Sequence, residues 1–120
     1  MQIINKTGRT IAIYINEQWE TYMPEGDAAI LNEEIKPLGV HDGITLQGQS
    51  IHGILNLPDR QKNVLIVVDK EVALYSWRQC REDVVYMHKP LLRDDKYNSL
   101  ASFSLMTWND ILVMYCLWYI

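Results

Sequence analysis

Phenylalanine appears once, cysteine twice and histidine three times in the 120 residues. The cysteines, Cys80 and Cys116, form no CxxC pair and join no His/Cys cluster with metal spacing. A disulfide framework, a zinc site and a bound cofactor are therefore not expected. His41, His52 and His88 are well separated and read as surface or turn residues rather than ligands. The opening MQIINKTGR turns polar at once, unlike a secretory signal, so a cytoplasmic location with reduced thiols is expected. A basic excess is missing too. Eleven Lys and Arg stand against fifteen Asp and Glu, a net charge of −4, which argues against duplex nucleic acid as a partner. Arg78, Arg81, His88, Lys89 and Arg93 lie close in sequence, but interleaved carboxylates make this a mixed solvated surface. Long apolar runs are absent. Ile111–Ile120 is uncharged over ten residues, against the roughly 20 that a spanning helix requires, so no membrane insertion is expected.

Catalytic signatures are also missing. Gly39, Gly43, Gly48 and Gly53 do not space as GxGxxG or GxxxxGK[ST], and there is no GxSxG elbow. Cys116 sits in an apolar run, where a thiol is ordinarily inert. The acidic pairs Glu33-Glu34, Glu82-Asp83 and Asp94-Asp95 are adjacent. On a strand such neighbours point to opposite faces and make no acid–base pair.

What is present is a composition close to globular averages, 48% hydrophobic and 22% charged, in a length that fits one domain over residues 1–120. Seven Tyr and four Trp either plug a β-rich core or serve as a contact platform. Short β-branched and aromatic runs dominate. Thr10–Ile15 and Gln18–Met23, separated by Asn16-Glu17, predict a hairpin. Pro24-Glu25-Gly26-Asp27 predicts a turn and Ala28–Ile35 a strand, with Lys36–Gly43 a loop. Ile44–Leu55 predicts a strand pair or one long bent strand. Asn63–Val68 (NVLIVV) is apolar throughout, as in a strand covered on both faces, and is the candidate central strand. Asp69 is a candidate N-cap for a helix over about 70–79, with Ala73, Leu74 and Trp77 on one side. Asp83–Met87 and Leu100–Met106 complete the strands. The expected fold is α+β: a mainly antiparallel sheet or partly open barrel with one short helix and an apolar C-terminal strand or helix, since parallel winding would call for more helices.

Two stretches are candidates for function. Trp77–Pro90 leaves the helix, turns and enters a strand beside the centre of the sheet, bringing Trp77, Arg78, Arg81, Asp83, Tyr86, His88 and Lys89 into one unit. Arginine forks suit phosphate or carboxylate, and aromatic rings offer a stacking face, so these residues could hold a ligand or partner. The competing reading is structural: Arg81 pairs with Asp83 across the turn while Tyr86 packs. The second stretch is Ile111–Ile120. Leu112, Met114, Leu117, Trp118 and Tyr119 make it either a buried terminal element or a surface for homo-oligomer formation.

The order of these segments resembles a family of small, uncharacterised proteins encoded by phages and prophages. Its opening phrase N-L-T-x-H-x-I-x-I-Y is similar to Asn5-Lys6-Thr7-Gly8-Arg9-Thr10-Ile11-Ala12-Ile13-Tyr14. Lys6 replaces the usual Leu, and Gly8-Arg9 the usual Pro-His, so no role of that histidine carries over. The G-x-x-x-x-L-P phrase is matched by Gly53 to Leu57-Pro58, and the Y-I-V-S-type strand by Leu65-Ile66-Val67-Val68-Asp69. R-x-D-[LV] is matched by Arg81-Glu82-Asp83-Val84, and the downstream Pro by Pro90. The resemblance spans roughly residues 3 to 105 and implies a phage accessory protein, with no activity to transfer. The expectation is a non-enzymatic inhibitor of host antiviral defence. Its partner would be a host defence protein or a small nucleotide signal. The alternatives are a structural or assembly protein that self-associates through its C-terminal stretch, and a small hydrolase or nuclease using Asp69, Arg81, Asp83 and His88.

Overall fold

A computed structural model describes residues 1–92 and 100–107. In chain order the elements are β1 (Gln2–Asn5), β2 (Ile11–Ile15), β3 (Gln18–Tyr22), β4 (Ile30–His41), β5 (Ile44–Leu55) and β6 (Val64–Val67). Then come α1 (Lys70–Arg78), β7 (Val84–Met87), β8 (Leu91–Leu92), β9 (Leu100–Ser102) and β10 (Leu105–Met106). They form three open sheets: β1-β6-β7-β10, β3-β2-β9-β8, and the two-stranded β4-β5.

The central sheet departs from the sequence expectation. β1, β6 and β7 run parallel, with only β10 antiparallel at the edge. Parallel neighbours need a long connection. α1 supplies it between β6 and β7. The path from β1 to β6 instead runs through β2 to β5, so one helix suffices. The second sheet also contains a parallel pair, β2 with β9. β6 is central, as its apolar run predicts. Ile4, Val64, Ile66 and Val84 face α1 and pack on Val72, Ala73 and Trp77. Val67, Val85 and Met87 face the other way, onto Ile11 and Ile13 of β2. The result is three layers: helix, central sheet, second sheet. Each of these aliphatic side chains contributes about 1.5–3 kcal/mol by leaving water.

Asp69 stands at the N-cap position of α1 without a side-chain capping bond. The buried stripe is Val72, Ala73, Ser76 and Trp77, while Leu74, expected to share a side with Ala73 and Trp77, is exposed. Its C-terminus closes with paired bonds from Cys80 N–H to the Trp77 carbonyl and from Arg81 N–H to the Ser76 carbonyl. Cys80 sits at φ +61° in the left-handed position where such caps favour glycine. At the opposite end of β1, the Asn5 side chain organises the turn that follows. Its carbonyl accepts from the Thr7 amide and hydroxyl, and its Nδ2 donates to the carbonyls of Arg9 and Tyr22.

Two further expectations change. Lys36–Gly43 is not a loop: β4 continues to His41 and turns at Asp42-Gly43, both at positive φ, as in a tight hairpin turn. Pro37 and Gly39 flank a register shift within the strand. Leu100–Met106 is not one strand. It breaks at Phe103-Ser104, so that β9 joins the second sheet and β10 the central one.

Candidate functional site

The Trp77–Pro90 unit divides between the two ends of β7. At its N-terminal end stand Arg81 and Asp83. The Arg81 guanidinium makes two 2.9 Å bonds to the Asp83 carboxylate and a third to the Pro58 carbonyl. Arg60 adds an ion pair to Glu82 and a longer one to Asp83. Burial would raise the Asp83 carboxyl, but the Arg81 hydrogen bonds and charge bring it below the usual carboxylate range. This is a clamp between the loop after β5 and the start of β7, the structural reading of the pair. Trp77 is structural as well: buried, with its Nε1–H donating to the Val84 carbonyl at 2.8 Å and its ring against Tyr86. Arg78 is exposed in the last turn of α1.

His88 and Lys89 lie at the other end of β7. The four residues of β7 separate His88 from Asp83, five steps of ~3.3 Å or about 16 Å. Asp69, Arg81, Asp83 and His88 therefore do not converge as one acid–base set.

At that C-terminal end the parallel topology brings other residues together. Asp69 follows β6, and His88-Lys89-Pro90 follow β7. Open parallel sheets characteristically place ligands at the carboxyl ends of their strands. A crevice of about 510 Å³ opens there, lined by Asp69, Lys70, Tyr86, His88 and Lys89 over an apolar floor that includes Val68, Met87 and Met106. Its volume is typical of small-molecule sites. The Lys70 ammonium stands 5.9 Å from the Tyr86 ring centre. Although Asp69 is exposed overall, desolvation pushes its carboxyl above the usual range, and the Arg9 charge opposes the rise. The corner is braced. The buried Ser102 hydroxyl lies 2.5 Å from the His88 carbonyl and 2.7 Å from that of Ser104, and the His88 amide donates to the Ser104 carbonyl. Lys89 is held at φ +45°, a conformation side chains other than glycine rarely adopt.

Outside this corner lies a second surface that the sequence reading did not assemble. Tyr14, Trp19 and Phe103 form a mutual triad with ring centres 5.0–5.3 Å apart on the outer face of the second sheet. Tyr14 and Trp19 are direct cross-strand partners flanking the Asn16-Glu17 turn. That pairing was available from the hairpin register; the arrival of Phe103 was not. An apolar groove of about 600 Å³ continues from Trp19 and Phe103 past Leu91 and Leu92 to His88 and Lys89. Phe103, Leu91 and Leu92 are 66%, 65% and 61% exposed.

The proposed oligomer residues Leu112, Met114, Leu117, Trp118 and Tyr119 lie outside the described residues, as do Arg93 and Cys116. Among the described residues no three His, Cys, Asp or Glu side chains stand together as a metal site, and no helix is long and apolar enough to cross a membrane. Comparison with protein-family models, curated proteins and solved structures finds no match.

Proposed function

We propose that this chain is a non-enzymatic binding protein that captures another protein on the outer face of its second sheet. The observation that carries the reading is the Tyr14–Trp19–Phe103 triad, three rings held against each other and 38%, 37% and 66% exposed, continuous with the Leu91–Leu92 groove. Large aromatic side chains bury much area at small entropic cost, which is why they dominate binding hot spots. A contiguous apolar patch of this kind on a domain surface marks a contact site. The resemblance to phage and prophage proteins directs the search for the partner toward the antiviral defence machinery of a bacterial host.

The test compares immobilised wild-type protein with a Trp19→Ala/Phe103→Ser double variant as bait for host lysate. The expected result is a discrete protein retained by the wild type and lost with the variant, whose circular dichroism stays native. Equal retention by both baits would remove this face as the capture surface.

A further inference from the structure

The crevice at the carboxyl ends of β6 and β7 has a chemistry different from that of the outer face, and it stands independently of the reading above. We infer that it is a binding site for a small nucleotide. Three features converge on that class. Lys70 and Lys89, with His88 beside them, line one concave volume and supply donors and positive charge for a phosphate. Val68, Met87, Pro90 and Met106 with the Tyr86 ring give an apolar wall for a flat heterocycle, which ordinary anions would leave unused. Asp69 lines the same volume, joined in sequence to Val68 on one side and Lys70 on the other. An exposed carboxylate at the end of a parallel strand is suited to accept hydrogen bonds from ribose hydroxyls.

Alternatives fit less well. An inorganic anion would use the lysines but not the apolar wall, and would meet the Asp69 charge without return. An acidic peptide would need an extended track of cations, whereas those on this lining are confined to Lys70 and Lys89.

The experiment is an amide-resolved NMR titration of the full chain with each of the four ribonucleoside monophosphates, with adenosine, and with inorganic phosphate. At least one monophosphate should give saturable shifts at residues 69–70 and 86–89, and bind at least tenfold more tightly than adenosine or phosphate. A Lys70→Glu/Lys89→Glu variant, altered only at exposed positions, should keep its spectrum and lose that affinity at least tenfold. The Trp19→Ala/Phe103→Ser variant should retain it, which separates this site from the protein-capture face. No saturable shift with any of the four, shifts confined to another surface, inorganic phosphate binding as tightly as the nucleotides, or undiminished affinity in the lysine variant would each overturn the inference.

Discussion

Asp83 carries a charge that the fold shields from water and returns to balance with Arg81. Its side chain is 7% exposed and that of Arg81 22%. A carboxyl held below its ordinary range binds its proton more weakly folded than unfolded. The stability it provides is complete above the unfolded value of about 3.9. It drains away as pH falls through that value and on through the lower folded one. Asp83→Asn keeps the shape and removes the charge, leaving a largely buried guanidinium without its counter-ion. The expected loss is about 2 kcal/mol at pH 7, below the range for fully buried pairs because Arg81 keeps some solvent. Chemical denaturation at pH 7 and pH 3 reads the difference: the gap between wild type and variant should narrow at the lower pH. A gap unchanged between the two would show that the pairing is not what the carboxylate contributes. The Arg81–Asp83 contact was legible in the sequence, because residues two apart across a turn are brought together by local geometry alone. Asp69 was legible as a helix cap and as one member of a candidate acid–base set with Arg81, Asp83 and His88. Its place beside Tyr86, His88 and Lys89 depends on β6 and β7 being parallel, which nothing local encodes.

At the scale of elements the same division holds. The hairpin β2–β3, the central strand β6 and the helix after it could be read directly, since each is a short segment with its own periodicity and turn residues. The arm formed by β4 and β5 could be read in part: Ile44–Leu55 and the first half of β4 were expected as strand, the second half of β4 was not. Pro37 and Gly39 look like loop residues, yet the strand absorbs them by shifting register around Leu38, whose side chain lies over Gly48. The stronger signal was Asp42-Gly43, which makes the turn. The base of the arm is anchored by Leu31 and Ile54 against the main core, while Leu38 and Val40 are 66% and 69% exposed. The outer arm is thus joined to the body by its base, with its own cross-strand bonds between Glu33 and Gln49 and between Glu34 and His52. Replacing residues 36–48 by a two-residue Asn-Gly turn should leave the body folded, with a Tm shift under about 5 °C, or roughly 1 kcal/mol at this size. A thermal melt showing a much larger fall would mean that the outer arm is part of the cooperative unit.

Across the whole molecule, the crevice and the outer groove are two sides of one corner. His88 and Lys89 line both. The corner's position is set by a residue that touches neither ligand surface as a lining group of the crevice: Ser102, 2% exposed at the end of β9. Its single hydroxyl proton is shared between the carbonyls of His88 and Ser104, while its oxygen accepts from the Ser104 amide at 3.3 Å. This ties the end of β7 in the central sheet to the turn carrying Phe103 in the second. Ser102→Ala leaves two carbonyls without that donor and should cost about 1–2 kcal/mol. More tellingly, it should act on both surfaces together. Nucleotide affinity in the NMR titration and protein retention on the immobilised bait should each fall severalfold. Lys70→Glu, at a position that lines the crevice and not the outer groove, should affect only the first, and Trp19→Ala/Phe103→Ser only the second. A Ser102→Ala protein that remains folded and loses just one of the two activities would show that the corner braces one face alone, and that the two surfaces are structurally independent.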